Sequence, residues 1–204
     1  MIYLLENSDT LGEEFISAAV PRLSMQRIKK MDSLRLKNDK VNSAAVYLLL
    51  RYALRNEYAI TDIKPEFVFG NNGKPYLKQY PEIFFSLSHC RNACACILSK
   101  NETAVDITDI RKIMLRTAKY FCSTEELEAA QTAKDIPAEL IRLWTMKECY
   151  SKIDGSGLSA DFKLITSKKL SDIHIIKNER YYAAYFSEQE ENIIKLLSSE
   201  LLDN

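Results

Sequence analysis

Glu148 and Lys152 stand four residues apart in the stretch from Leu143 to Leu158, with Lys147 beside them. On a helix, positions i and i+4 share a face. A carboxylate that could hold a metal or take a proton would then lie one turn from an ammonium that could neutralise a leaving phosphate. The plainer reading is a surface ion pair worth about 0.3 kcal/mol. Asp106 sits inside the apolar run Ala104 to Ile107. An ionised Asp there is expensive unless it is paired or bound to a metal, which makes it the best single metal-ligand candidate. Capping a turn or pairing with Arg111 is the alternative. Ser88 and His89 follow the Phe- and Leu-rich segment Phe84 to Leu87. An imidazole at a strand end suits phosphate oxygens in either protonation state, although a lone His is more often structural. Lys74 follows the turn Asn71-Asn72-Gly73, and Pro75 holds its backbone extended. Its ammonium could meet a phosphate or sit exposed on an ordinary hairpin.

The elements that must position these groups are legible as patterns. Pro137 in a first turn and Gly155 after the last periodic residue predict a helix from about Pro137 to Ile153. Leu140, Ile141, Trp144, Met146, Cys149 and Ile153 would form its core-facing stripe. Strands are expected at Met1 to Leu5, Phe67 to Phe69, Ile83 to Leu87, Cys94 to Leu98 and Thr103 to Ile107. The strand at Ile83 delivers Ser88 and His89 to a loop. Asp172 to Lys177 and Arg180 to Phe186 read as an antiparallel pair about Asn178-Glu179, with His174 structural. Glu13 to Ala19 has helical character. Ser24 to Asn56 is helix-rich, with Arg27, Lys29, Lys30, Arg35, Lys37 and Lys40 in its first half. Such a basic run is ordinarily a solvated face. Ser123 and Glu126 make a capping box that starts a helix to about Ala133, and Glu188 to Leu202 reads as a terminal helix or fraying end.

The chain has 204 residues, enough for one large domain or two small ones. Lys plus Arg and Asp plus Glu balance at 28 each, so no basic field points to nucleic acid. The first residues lack a secretion signal, and the apolar patch Ala44 to Leu50 is too short to span a bilayer. A soluble, cytoplasmic protein without membrane contact is the expectation. The five cysteines are an odd number and argue against a disulfide framework. His89, Cys90, Cys94 and Cys96 form a possible metal cluster, but Cys in a strand usually acts as a small apolar residue.

Read in order, Ser88-His89 after a strand, Ala104-Val105-Asp106-Ile107-Thr108, and Trp144-x-x-Lys147-Glu148 followed by Lys152 resemble the 4'-phosphopantetheinyl transferase superfamily. The likeness is to its long, single-chain, surfactin-synthetase-activating type. Asn72-Gly73-Lys74-Pro75 is similar to the family's Gly-Lys-Pro element. The resemblance implies an α+β fold of two similar halves in a pseudo-twofold arrangement, residues 1–100 and 101–204. The second half would carry the metal and catalytic motifs, and the protein would be a pseudo-dimeric monomer. It implies transfer of 4'-phosphopantetheine from coenzyme A to a serine of an apo acyl or peptidyl carrier protein. The product is adenosine 3',5'-bisphosphate, and the setting is fatty-acid, polyketide or nonribosomal peptide biosynthesis.

The implied roles fall residue by residue. Asp106 and Glu148 would bind Mg2+, and Glu148 would take the serine proton directly or through a metal-bound water. Lys152 would neutralise or protonate the leaving group. Lys74, Ser88, His89, Lys147 and Lys152 would hold coenzyme A phosphates. The sequence departs from the family at Thr108, where many members have a second acid. There Thr108 would hold a metal-bound water, with Asp109 pointing the other way. Ala104 replaces a usual Gly, and Asn42 precedes Ser43 where relatives often show Arg. Two other readings compete. One is a catalytically weak relative that binds coenzyme A or carrier protein; the other is a metal-dependent phosphohydrolase reusing Asp106 and Glu148. Retention of Lys147, Glu148 and Lys152 argues against the first, and the absence of a rich Asp/His cluster argues against the second.

Overall fold

The structure is a computed structural model that describes residues 1–61, 64–153, 155, 156 and 161–203. Asp154, Gly157, Leu158 and Ser159, at the end of the central stretch and just beyond it, lie outside the described residues. In chain order the regular elements of the first half are β1 (Ile2–Glu6), α1 (Glu13–Ala19), α2 (Met25–Asp32) and α3 (Lys37–Tyr58). They continue with β2 (Phe67–Phe69), β3 (Pro75–Leu77), β4 (Phe84–His89) and β5 (Ala93–Ser99). Then follow β6 (Ala104–Asp109), α4 (Leu115–Ala118), α5 (Thr124–Gln131) and α6 (Ile136–Ile153). The last are β7 (His174–Lys177), β8 (Tyr181–Phe186), β9 (Ile193–Leu196) and α7 (Ser198–Leu202).

Among the described residues these strands form a sheet ordered β4-β5-β1-β9, a sheet ordered β6-β8-β7, and the separate β2-β3 hairpin. Side-chain alternation decides how they stack. On β5, Cys94, Cys96 and Leu98 face the core shared with Val41, Ala45, Leu48 and Leu49 of α3. Ala93, Ala95 and Ile97 face the opposite way, onto Val105, Ile107, Tyr181, Ala183 and Tyr185 of the second sheet. The small side chains of β5 let the two sheets approach. On the far side of the second sheet, Ala104 and Ala184 pack on Leu140, Leu143, Met146 and Cys149 of α6. The layers are therefore helix, sheet, sheet, helix, a mixed α+β architecture. Cys94 and Cys96 are buried apolar positions in it, and burial pushes the Cys94 thiol up to about 12.

Several local expectations are met closely. Ser123 and Glu126 form a capping box at α5, which ends at Gln131. Asp135 Oδ1 accepts from the Ala138 N–H at 3.1 Å and closes the start of α6. Trp144 sits edge-on between Phe121 and Phe162, at 5.0 and 5.2 Å between centroids. Two expectations change. Ser88 and His89 are not in a loop, because β5 extends back to Ala93 and supplies partners for both. The tail is not a frayed end. Residues Ile193 to Leu196 pair parallel with β1, so a segment of the second half completes the first sheet. No periodicity marks this strand, since its partner lies at the other end of the chain.

Leu201 of α7 is fully buried in the α3 core. Leu201→Ala is expected to cost about 2–5 kcal/mol in urea unfolding, as for any buried leucine. A frayed tail would give no change.

Candidate active site

Asp106 is buried on β6 and faces α6. Its Oδ1 accepts from Lys152 Nζ at 2.7 Å and from Ser88 Oγ at 2.8 Å. Its Oδ2 accepts from Thr108 Oγ1 at 3.1 Å, two residues along the same strand face. Lys152 also donates to the Val105 carbonyl at 2.9 Å. Three elements thus converge on one carboxylate: β4 through Ser88, β6 itself, and the last turn of α6. Asp109, on the other face of β6, accepts instead from the Arg91 backbone and the Asn92 amide.

Glu148 lies one turn before Lys152, half-buried. Its carboxyl is pushed up to about 7, first by loss of water and then by the charge of Asp106, with Lys152 acting the other way. Two carboxylates are therefore close enough to repel, beside the Thr108 hydroxyl. Such an all-oxygen donor set fits a hard divalent cation such as Mg2+. Among the described residues no cluster of three or more His, Cys, Asp or Glu side chains forms a metal site.

A cavity of about 720 Å³ opens beside this centre, the size of a cofactor site. Its walls carry Arg27, Lys30, Lys74, His89 and Lys152, against the single carboxylate of Asp39 among the described residues. Tyr47, Phe67, Phe85 and Leu87 supply an apolar lining. Lys74 reaches across from the hairpin to the Ile153 carbonyl at 2.8 Å and pairs with Glu102. It thereby caps the C-terminal end of α6, where a cation is favoured. Gly155, in the left-handed region at φ 73°, lies against Asn72 and Lys74 at this junction. His89 is open to the cavity. Its pKa lies below the usual histidine value because protein surrounds the ring and because Lys152 adds positive charge; Asp39 opposes the shift and Lys30 and Arg27 reinforce it.

Arg27 was visible in the sequence only as one member of a basic run. In the structure it is buried, with its guanidinium 5.2 Å from the ring centres of both Tyr47 and Phe67. Its Nη1 lies 3.5 Å from Ser43 Oγ, and among the described residues it makes no salt bridge. Burial pulls its pKa to about 10, so it stays cationic at neutral pH. The useful clue was the spacing of Arg27 and Lys30, which share a helix face. Asn42 is also buried, and its amide donates to the Cys90 carbonyl at 2.7 Å.

The structure places two expected phosphate ligands outside the cavity lining. The Lys147 ammonium is completely buried on the opposite side of α6 from the cavity. It donates to the carbonyls of Phe121 and Phe162, both at 2.9 Å, and to Glu126 at 2.6 Å. One residue along a helix turns the side chain by about 100°, so Lys147 and Glu148 cannot serve one site. Ser88 also points away from the cavity. Ser88 donates to Asp106 and does not line the cavity, whereas His89 does, and the Ser88 Oγ accepts from the Ile107 N–H at 3.2 Å.

The geometry is a mixed α+β fold with a cationic cleft whose Lys152 pairs with Asp106, beside Glu148. A sequence profile described as the 4'-phosphopantetheinyl transferase superfamily matches residues 102–200. The chain is 27% identical over 173 residues to the 4'-phosphopantetheinyl transferase psf-1 of Bacillus pumilus, covering 84% of this chain and 74% of that one. It is 26% identical over 160 residues to the 4'-phosphopantetheinyl transferase Sfp of Bacillus subtilis, covering 78% and 71%. A L-aminoadipate-semialdehyde dehydrogenase-phosphopantetheinyl transferase of Candida glabrata is 30% identical over 142 residues, covering 64% and 54%. The chain is thus similar to the 4'-phosphopantetheinyl transferase superfamily, by the profile over its second half and by these relatives over most of its length.

Lys147→Met is expected to lower stability by about 3–5 kcal/mol in urea unfolding, because it strands the Glu126 carboxylate and two carbonyls. The folded fraction should bind coenzyme A as before; intact stability with lost affinity would return Lys147 to the ligand site. His89 gives a pH effect of fixed sign. Its depressed pKa means that the folded protein binds the proton more weakly than the unfolded chain, so stability is lost as pH falls through the ordinary histidine range. Between about pH 7.5 and 5.5 the urea midpoint of wild type should fall further than that of His89→Gln.

Proposed function

We propose that this protein transfers 4'-phosphopantetheine from coenzyme A to a serine hydroxyl of an apo acyl or peptidyl carrier protein, releasing adenosine 3',5'-bisphosphate. The observation that carries this reading is the cationic cavity lined by Arg27, Lys30, Lys74, His89 and Lys152, the last of which pairs with Asp106. It suits a long ligand with phosphate at two places and a reactive bond at one end. Arg27 and Lys30 hold the 3'-phosphate. Lys74, His89 and Lys152 face the pyrophosphate.

Asp106 and Glu148 would hold Mg2+, with Thr108 fixing the Asp106 carboxylate from beside it. When bound, the ion neutralises the negative charge of the pyrophosphate. Glu148 accepts the proton of the carrier serine, a task suited to a carboxyl raised towards neutral pH. The serine oxygen forms a bond to the β-phosphorus as the bridging oxygen of the α-phosphate leaves. Lys152 stabilises the charge on that oxygen from the next turn of α6. Ser88 orients Asp106. The two halves, each a sheet backed by a long helix, are compatible with the family's pseudo-twofold arrangement about a boundary near residue 100, with β9 and α7 crossing back. Mg2+ dependence, a monomeric state and cytoplasmic action belong to the same proposal.

Intact-mass spectrometry of an apo acyl carrier protein incubated with this protein, coenzyme A and Mg2+ tests it. The carrier should gain one phosphopantetheine. Glu148→Gln should slow that gain by about a hundredfold or more while melting like wild type. Near-normal turnover of the variant would remove Glu148 from the centre, and no gain with any carrier would overturn the reading.

A further inference from the structure

Phe67 turns its backbone N–H and carbonyl away from β3, toward the open edge of the hairpin. An exposed strand edge normally leaves such groups to water or to another chain. Here the side-chain amide of Gln26 takes the place of a neighbouring strand. Gln26 Nε2 donates to the Phe67 carbonyl at 2.9 Å, and the Phe67 N–H donates to Gln26 Oε1 at 2.8 Å. The two bonds form a closed ring of the kind a peptide group would make, and they join α2 to the hairpin across 41 residues of chain.

The consequence falls on the next residue. Arg27 packs against the rings of Tyr47 on α3 and Phe67 on β2, which also touch each other at 6.2 Å between centroids. The Tyr47 side is anchored by its hydroxyl, which donates to the Pro65 carbonyl at 3.0 Å. The Phe67 side belongs to a two-stranded hairpin that, among the described residues, is a strand neighbour of neither larger sheet. Such hairpins are marginal by themselves. Ser24 caps α2 by accepting from the Arg27 N–H at 3.2 Å, which fixes the start of the helix but not the ring. The Phe67 ring also packs on Phe85 of β4 at 5.0 Å, and Gln26 fixes the backbone that carries the ring.

We infer that Gln26 is a positioning residue: by clamping the Phe67 backbone it holds the Phe67 ring against the guanidinium and so aims Arg27 at the 3'-phosphate, which sets the preference for 3'-phosphorylated coenzyme A. The inference rests on the proposed function. The clamp does not touch the reacting atoms, so its loss should weaken donor binding and leave the chemical step alone.

The test compares coenzyme A with 3'-dephospho-coenzyme A as donors for wild type, Gln26→Met and Gln26→Glu, with kcat and KM followed separately. Gln26→Met keeps the side-chain size and removes both bonds. It should raise KM for coenzyme A about five- to tenfold, the worth of two modest hydrogen bonds, with kcat unchanged. With 3'-dephospho-coenzyme A the rise should fall below about twofold, because the phosphate that Arg27 meets is absent. Gln26→Glu keeps the acceptor for the Phe67 N–H and adds negative charge, so its KM for coenzyme A should rise at least as far. An unchanged KM, an equal rise for both donors, a fall confined to kcat, or loss of folding in both variants would overturn the inference. A wild type that transfers phosphopantetheine alongside a normal Gln26→Met would sink the inference alone. A wild type that neither transfers nor binds coenzyme A would sink the proposed function with it.

Discussion

An ionised carboxylate inside a β-sheet must be compensated, and the compensation of Asp106 draws the centre together. Its two oxygens accept from Lys152, Ser88 and Thr108, side chains that come from α6, β4 and β6. Leaving any buried charge without partners costs several kcal/mol. The bond to Lys152 therefore fixes the last turn of α6 against β6, and with it the position of Glu148 one turn earlier. The same crowding raises the Glu148 carboxyl toward neutral pH. A charge arrangement that would be poor for stability alone is one a base and a cation site require.

The cavity shows the same tension. Arg27 is buried against two touching aromatic rings and makes no salt bridge among the described residues. A guanidinium in that setting retains its charge and loses water, so an arriving phosphate meets a cation that is already positioned and partly desolvated. Lys74 works differently. It is tied to Glu102 and to the end of α6, and it joins the hairpin to the helix that carries Glu148 and Lys152. The floor of the cavity and its reactive end are thus mechanically linked.

The two lysines of the central helix show how adjacent residues divide labour. Lys152 faces the cleft. Lys147, five residues earlier, points into the second core and satisfies two carbonyls and the Glu126 carboxylate that also caps α5. The Trp144 ring sits beside it between Phe121 and Phe162. The motif that looks like a single chemical unit in the sequence is half a site and half a buried brace.

Much of this was legible in residue order. The α6 boundaries followed from Pro137 and the periodic stripe, the capping box from Ser123 and Glu126, and the value of Asp106 from the rarity of an unpaired acid in an apolar strand. These are local rules, and they operate within a few residues. What they could not decide was anything set by partners far along the chain. The strand at Ile193 exists because β1 offers it an edge, and Ser88 serves Asp106 because β4 and β6 lie in facing sheets. Arg27 left the solvated face of a helix because Tyr47 and Phe67 close over it. The sequence by itself determined which groups were available for chemistry; tertiary packing decided which of them share a cavity, since charge and burial depend on neighbours that only folding brings near.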